Sequence, residues 1–143
     1  EVDCASNQLS IEKKGGELKL DLAVEPFYIR ADKLHLTNVL YSILDNAVKY
    51  SKENLKISVS MLSENANQLT LYIKDNGIGI EKEHLGKVFE KFYRIPTGNV
   101  HNVKGFGLGI FYVKKICDAH HWKIKIDSDP GLGTQVGITF NKA

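Results

Sequence analysis

The sequence predicts an α+β domain, built as a two-layer α/β sandwich whose mixed, mainly antiparallel sheet carries its helices on one face. Two observations support this fold class. Stretches of alternating apolar residues are interleaved with stretches of helical periodicity, in the order strand, helix, two strands, long loop, helix, two strands. The chain has 143 residues, of which 43% are hydrophobic and 25% charged, the composition of a globular protein and the length of one domain. We therefore expect a single domain over residues 1–143.

The first third of the chain predicts a helix, two short strands and a longer helix. Residues 1–16 have apolar side chains at helical spacing and end in paired glycines. Residues 17–24 alternate apolar and polar side chains, and residues 27–30 follow a proline, so each segment predicts a short strand. From Asp32, a suitable N-cap, to about Ser51 the apolar residues recur at helical spacing.

The middle of the chain predicts a strand pair, a short helix and a long loop. Residues 57–61 and 69–73 alternate apolar and polar side chains, as in half-buried strands. A short helix is expected over residues 81–92. Residues 94–105 have no apolar period, and long loops of this kind in compact domains are more often lids or binding loops than simple connections.

The last third predicts a helix and a hairpin. Residues 107–120 open with glycines and continue with helical periodicity. Residues 122–128 and 134–140 alternate as strands on either side of Pro130-Gly131. These elements complete the mixed sheet.

Charge, apolar runs and cysteines exclude several classes of protein. The net charge of +2 argues against a nucleic-acid-binding protein. No apolar run approaches the roughly 18 residues of a membrane span, so we expect no membrane contact by this part of the chain. Two widely separated cysteines, Cys4 and Cys117, are typical of a reducing compartment. Cys117 and His120 have C-x-x-H spacing, but a closed zinc site needs four ligands, so we expect them to pack rather than to bind metal.

A glycine-rich turn follows the second strand of the central pair, where Asp75 opens the sequence DNGIG at 75–79. Glycines let the backbone approach a ligand closely, and a carboxylate at a strand end can accept a hydrogen bond from the amino group of a base. An ordinary turn between a strand and a helix uses the same residue types. Taken alone, this motif leaves both interpretations open.

A second glycine cluster, GFGLG at 105–109, leads directly into a predicted helix. Unpaired N–H groups at a helix N-terminus, together with the helix dipole, favour an anion. The cluster lacks the Gly-Lys-Ser/Thr of a P-loop, and Ile110 stands where dinucleotide-binding folds have a third glycine. It predicts either a phosphate-binding segment or a hinge without a ligand.

Short polar side chains share one face of the predicted helix that begins at Asp32. Ser42, Asp45, Asn46 and Lys49 lie at helical spacing, and Ser, Asp and Asn are poor residues for a helix interior. An amide oxygen suits Mg²⁺, and a lysine one turn further along can contact phosphate. A solvated helix face is the alternative interpretation.

Together these segments resemble the sequence boxes of the sensor histidine kinases. NVLYSILDNAVKYS at 38–51 is similar to the N box, DNGIGI at 75–80 to the first glycine box and KVFEKFYR at 87–94 to the F box. GFGLGI at 105–110 is similar to the second glycine box, and GLGT at 131–134 to the third. All of them occur in the order and at the spacing of that family.

The resemblance implies the Bergerat ATP-binding fold of the GHKL superfamily, with a mobile lid and with ATP and Mg²⁺ as ligands. It assigns Asp75 to the adenine amino group, Asn46 to Mg²⁺, and Lys49 and the lid residue Arg94 to the phosphates, so that Asn46, Lys49 and Arg94 are the candidate catalytic residues. The other residues that it assigns to the nucleotide are Tyr50, Gly77, Gly79, Ile80, Lys104, Gly105, Gly107, Leu108, Gly109 and Thr134. We assign Phe89 and Phe92 to packing beneath the lid.

The sequence departs from the family's pattern at two positions. Ser42 stands where the N box usually has a second Asn and where hydrolytic members of the superfamily carry Glu as general base. A serine cannot act as that base, so we expect slow background hydrolysis. His121 stands where a glycine is common, and we assign no chemistry to it.

The implied activity is that of a protein-histidine kinase. Such a domain binds Mg-ATP and donates the γ-phosphoryl group to a histidine on a separate helical hairpin of the same dimeric parent, which then passes it to a response regulator. None of the five histidines, at 35, 84, 101, 120 and 121, stands in the family's His-Asp/Glu acceptor sequence. We therefore expect a fragment, the cytoplasmic catalytic part of a membrane-bound bacterial sensor, that does not phosphorylate itself.

Two alternatives belong to other functional classes. The first is a stand-alone serine kinase that binds an anti-sigma partner, and the KFYR sequence at 91–94 favours the histidine kinase over it. The second is a degenerate nucleotide-binding module with a structural role. Asp75, Asn46 and intact glycine boxes argue against that role.

Overall fold

The computed structural model describes residues 16–21, 27–90 and 109–143. Its strands are β1 (Glu17–Asp21), β2 (Lys56–Asn65), β3 (Gln68–Asp75), β4 (Lys123–Asp129) and β5 (Gly133–Asn141), and its helices within these ranges are α1 (Lys33–Lys49), α2 (Lys82–Leu85) and α3 (Gly109–Ala119). The sheet order is β1-β2-β3-β5-β4. β1 pairs in parallel with β2, and the other neighbours are antiparallel. The predicted α+β class and mixed sheet are confirmed.

The core lies between one face of this sheet and the helices α1 and α3. Apolar residues at alternate positions of the central strands lie side by side in register, so that Ile73 is opposite both Val59 and Val136. The helices contribute the buried residues Val39, Ile43, Leu44, Ala47, Val113 and Cys117. Because each buried aliphatic side chain contributes about 1.5–3 kcal/mol, this apolar contact fixes which face of each helix points toward the sheet.

The ends of α1 and α3 are fixed by local hydrogen bonds. The Asp32 side chain accepts a hydrogen bond from the His35 N–H at 2.9 Å, which confirms the predicted N-cap. At the end of α3, Trp122 N–H donates to Cys117 O at 2.9 Å and His121 N–H donates to Asp118 O at 3.1 Å. This is a Schellman motif. It requires a left-handed residue, and His121 has φ +58°, which explains why a glycine is common there.

The Cys117–His120 pair packs in the α3 region. Cys117 is buried, and burial raises the pKa of its thiol to about 11, so the thiolate that a metal needs is disfavoured. The His120 ring stacks on Trp122 with centroids 4.3 Å apart, and its Nδ1 lies 2.8 Å from Ile116 O. Among the described residues, no group of three or more His, Cys, Asp or Glu could hold a metal ion.

Two predicted elements differ from the structure. Residues 27–30 do not form a strand, and their backbone bond to the other described residues is that from Ala143 N–H to Tyr28 O at 2.8 Å. Within the described residues 81–90, the helix predicted over residues 81–92 covers Lys82–Leu85, since Gly86 follows at its C-cap and glycine disfavours helix continuation.

Some predicted segments lie outside the described residues. They are the helix over residues 1–16, the end of the first predicted strand at 22–24 and the loop at 94–105. None of the helices in the described ranges is both long and apolar enough to cross a membrane.

Candidate functional site

The predicted binding segments come together at one end of the sheet. β3 ends at Asp75, β4 ends at Asp129 and β5 begins at Gly133, and antiparallel pairing brings these ends side by side. On the helical layer, a Cβ added at Gly109, the first residue of α3, would lie 3.7 Å from Nδ2 of Asn46. The end of α1 and the start of α3 therefore meet at Asn46.

Asp75 is held by backbone groups from two different segments. Its Oδ1 accepts hydrogen bonds from Gly77 N–H at 2.8 Å and from Thr134 N–H at 3.3 Å. Burial raises the pKa of Asp75 above its ordinary value, and the two backbone donors act in the opposite direction. Both donors bond to Oδ1, and within the described residues no hydrogen bond ends on Oδ2. The second oxygen therefore keeps its capacity to accept from a ligand.

The loop after Asp75 packs against the backbone at the end of α1. Ile78 N–H donates to Tyr50 O at 3.1 Å, and a Cβ added at Gly77 would lie 2.5 Å from the same carbonyl. Gly79 has φ +73°, and a Cβ there would lie 2.1 Å from Asp129 O. The glycines of this segment are thus needed for contact between backbone segments. The sequence left open whether they admit a ligand or form an ordinary turn, and it did not predict these contacts between distant backbone segments.

Asn76 is a site residue that sequence reasoning missed. Its Oδ1 accepts from Lys56 N–H at 2.7 Å, and its Nδ2 donates to Asn54 O at 2.9 Å. Asn76 N–H also donates to Lys56 O at 3.2 Å. These bonds extend the β2–β3 pairing by one step beyond Asp75. The partners are about twenty positions away in the chain, so no local pattern identifies this role.

Ser128 was also missed. Its hydroxyl accepts from Ile80 N–H at 2.8 Å and lies 2.8 Å from Thr134 Oγ1 and 2.9 Å from Gly133 O. It connects the segment after Asp75 with the start of β5. The predicted hairpin could have indicated this role, because it places Ser128 directly opposite Thr134. The β4–β5 register has the same pairing.

The polar face of α1 contains Asn46, Lys49 and Ser42. Lys49 Nζ lies 2.8 Å from Asp45 Oδ2, and both side chains are about one-third exposed. Such an i,i+4 pair contributes only about 0.3–0.5 kcal/mol, so a phosphate can compete for the lysine. Ser42 is half-buried one turn before Asn46. The Asn46 amide supplies the oxygen donor that Mg²⁺ prefers, but a single protein ligand requires the remaining ligands to come from a nucleotide and water.

Several predicted residues lie outside the described ranges: Arg94, Lys104, Gly105, Gly107 and Leu108, together with Phe92. Phe89 is described and half-buried, and Lys114 Nζ lies 5.8 Å from its ring centroid. Its contact with an α3 residue agrees with a packing role.

Residues 31–143 match the model of one protein family, described as "Histidine kinase-, DNA gyrase B-, and HSP90-like ATPase". The chain belongs to this family. The resemblance to sensor histidine kinases and to the GHKL superfamily is thereby confirmed, and the relatives of this ATPase domain are sensor proteins of two-component systems. The chain is 47% identical over 134 residues to the sensor protein RprX of Bacteroides fragilis. The alignment covers 92% of this chain and 26% of RprX. It thus spans about a quarter of that relative's length.

Solved histidine kinases share the fold of this ATPase domain. The mycobacterial sensor histidine kinase MprB matches with a TM-score of 0.79 and 26% identity, covering 95% of this chain and 93% of that one. Full-length ShkA in complex with AMPPNP matches with a TM-score of 0.80 and 21% identity, covering 95% of this chain and 28% of that one. The fold is therefore that of a histidine kinase catalytic domain.

Proposed function

We propose that this chain binds Mg-ATP and donates the γ-phosphoryl group to a histidine on a separate helical hairpin of a dimeric sensor kinase. The observation that carries the proposal is the environment of Asp75. Asp75 is half-buried, its carboxylate is fixed through Oδ1 by Gly77 and Thr134, and Oδ2 remains as an acceptor. The same end of the sheet lies beside Asn46 and the N-terminus of α3. ShkA, which shares the fold, has been solved with AMPPNP, a non-hydrolysable ATP analogue.

The base is recognised by Asp75 at the bottom of the pocket. A carboxylate oxygen accepts from the 6-amino group of adenine, whereas a 6-oxo purine presents another acceptor at that position. A site whose polar group can bond to one ligand but is left without a partner by the other discriminates strongly between the two. Gly77, Gly79, Ile80, Tyr50 and Thr134 form the walls.

The phosphates lie between α1 and the start of α3. Asn46 would hold Mg²⁺ through its amide oxygen, and the ion would neutralise phosphate charge when it is bound. Lys49 exchanges its Asp45 partner for a phosphate oxygen. The first N–H groups of α3 face the phosphates, as a helix N-terminus favours. In this proposal Arg94, Lys104 and the glycines at 105–109 complete the phosphate contacts.

Phosphoryl transfer on this scaffold is catalysed by positioning and charge. The protein aligns the γ-phosphate with an incoming imidazole and supplies cations and N–H groups to the developing charge. The nucleophile comes from another part of the parent protein, and a response regulator accepts the group afterwards. Residues 1–143 form one catalytic domain, which would be the cytoplasmic part of a bacterial sensor.

The test is transfer from γ-labelled ATP. The chain is incubated alone, with the helical hairpin of its parent protein, and with the same hairpin in which Gln replaces the acceptor histidine. Label should appear only on the intact hairpin, because in-line geometry supplies much of the acceleration. Acid-labile label on a histidine of the lone chain would overturn the assignment of the acceptor. No binding of millimolar Mg-ATP by calorimetry would overturn the proposal as a whole.

A further inference from the structure

One hydroxyl, that of Ser128, connects both segments that form the proposed base pocket. It accepts from Ile80 N–H at 2.8 Å, which fixes the end of the segment that begins at Asp75. It also lies 2.8 Å from Thr134 Oγ1 and 2.9 Å from Gly133 O, in the segment that donates to Asp75 Oδ1. Ser128 is half-buried at the end of β4, directly opposite Thr134. Ser128 therefore contacts both segments of the proposed base pocket.

Counting protons limits what this arrangement can do. A serine hydroxyl has one proton to donate and two lone pairs that accept. One lone pair of Ser128 is used by Ile80 N–H, so its proton goes either to Gly133 O or to Thr134 Oγ1. In the first case the Thr134 hydroxyl donates to Ser128 and presents a lone pair to a ligand. In the second case Thr134 accepts from Ser128, and its own proton is available to a ligand.

The segment from Asp75 to Ile80 has few other anchors at its far end. Ile78 bonds to Tyr50 O through its N–H and to Gly131 N–H through its carbonyl, at 3.1 and 2.8 Å. After Gly79, the hydrogen bond that ties this segment to the other described residues runs from Ile80 N–H to the Ser128 hydroxyl. Loss of the hydroxyl would leave the N–H of the half-buried Ile80 without its acceptor among the described residues.

We propose that Ser128 is a positioning residue of the base pocket, which holds Ile80 in place and orients the Thr134 hydroxyl without contacting the nucleotide itself. This inference rests on the proposed ATP-binding function. It implies that the pair Ser128–Thr134 can present either a donor or an acceptor to the base. Base selectivity then lies with Asp75, and Ser128 contributes to affinity.

The test uses Ser128→Ala, with Ser63→Ala as the matched control. Ser63 is also a strand serine whose hydroxyl donates to a backbone carbonyl, that of Asn65 at 3.2 Å, but it lies at the opposite end of the sheet. In Ser128→Ala without nucleotide, the Ile80 amide should exchange with solvent at least about tenfold faster, and ATP should bind about five- to tenfold more weakly, as expected for a lost hydrogen bond. The ratio of ATP to ITP affinity should stay within about twofold. Ser63→Ala should match the wild type in all three measurements.

A conservative variant and a double-mutant cycle separate positioning from general stability. Ser128→Thr keeps the hydroxyl and should restore both the Ile80 protection and the affinity. In the Thr134→Val background, Ser128→Ala should cost clearly less affinity than in the wild type, because part of its effect acts through Thr134. Losses that multiply fully in the double variant would overturn the role through Thr134.

The remaining outcomes separate this inference from the proposed function. A wild-type chain that binds ATP, with Ser128→Ala binding equally well, overturns this inference alone. A wild-type chain that does not bind ATP overturns both. Should Ser128→Ala fail to fold, Ser128→Cys takes its place with the same expectations, because a thiol has a similar shape but is a weak hydrogen-bond acceptor.

Discussion

Replacing Asp75 by Asn isolates the one atom on which base recognition depends. The amide oxygen of Asn can still accept from Gly77 and Thr134, which now bond to Oδ1 at 2.8 and 3.3 Å. The other oxygen becomes an NH₂ group, so an acceptor toward the ligand becomes a donor. An unmet buried polar group costs about 1–3 kcal/mol, and about 1.4 kcal/mol corresponds to a factor of ten. The ratio of ATP to ITP affinity should therefore fall by about 10- to 100-fold.

Stability should respond in the opposite direction. Burial raises the pKa of Asp75 in the folded chain above its ordinary value of 3.8, so the folded state binds this proton more tightly than the unfolded state. The contribution of Asp75 to the free energy of unfolding is then fully present below pH 3.8 and is lost as the pH rises through the folded pKa. An Asn side chain does not ionise, so Asp75→Asn avoids the cost of burying a charged carboxylate. At neutral pH the variant should therefore be at least as stable as the wild type.

The assays are calorimetric titration with ATP and ITP at constant Mg²⁺, and urea denaturation between pH 3 and pH 8. Asp127→Asn is the control, since Asp127 lies on β4 with its side chain 59% exposed. An unchanged ATP to ITP ratio in Asp75→Asn would refute the assignment of Asp75 to the base. A variant that is less stable than the wild type at neutral pH would show that the backbone bonds to Oδ1 outweigh the cost of burial.

Two further predictions concern the metal and the end of α3. Asn46→Ala should reduce the Mg²⁺ dependence of ATP affinity and Ser42→Ala should change it little, because an amide oxygen is the better ligand. ATP titrations with and without Mg²⁺ measure this dependence for each variant. Equal losses in the two variants would make Ser42 a site residue. His121→Gly should stabilise the fold by about 0.5–1 kcal/mol. The left-handed conformation costs a non-glycine residue about 1–2 kcal/mol, and glycine removes this cost but loses more backbone entropy on folding. His121→Ala keeps the left-handed cost and should show no such gain in urea denaturation. Equal stability of the two variants would contradict the reasoning.

The parts of the fold that the sequence predicted are those controlled by local patterns. Alternation identified β2 and β3, and Asp32 marked the start of α1, because periodicity and capping act over a few residues. Residues 27–30 look equally strand-like, yet a strand needs a continuous partner, and among the described residues they have one backbone bond, from Ala143. Pairing of this kind is decided by distant segments, which no local pattern contains.

The same distinction applies to the candidate site. Asp75 and Asn46 stand in sequence boxes that resemble those of the sensor histidine kinases, and their proposed roles come from that resemblance. Ser128 and Asn76 act on backbone groups of distant residues, Ile80 and Lys56, so their residue types alone reveal nothing. Sequence reasoning finds the groups that would contact a ligand more readily than the groups that hold them in place.

The proposed base site at Asp75 and the proposed metal ligand Asn46 are linked through the end of α1. Asn46 O accepts from Tyr50 N–H at 3.0 Å, and Tyr50 O accepts from Ile78 N–H at 3.1 Å. One peptide segment therefore joins the helix that carries the proposed metal ligand to the loop that follows Asp75. The tight contact of Gly77 with Tyr50 O, where a Cβ would approach to 2.5 Å, leaves little room for either part to move alone. In the proposed function, a nucleotide whose base lies against Asp75 would therefore also reach Asn46, as in-line placement of a γ-phosphate toward a histidine supplied from elsewhere requires.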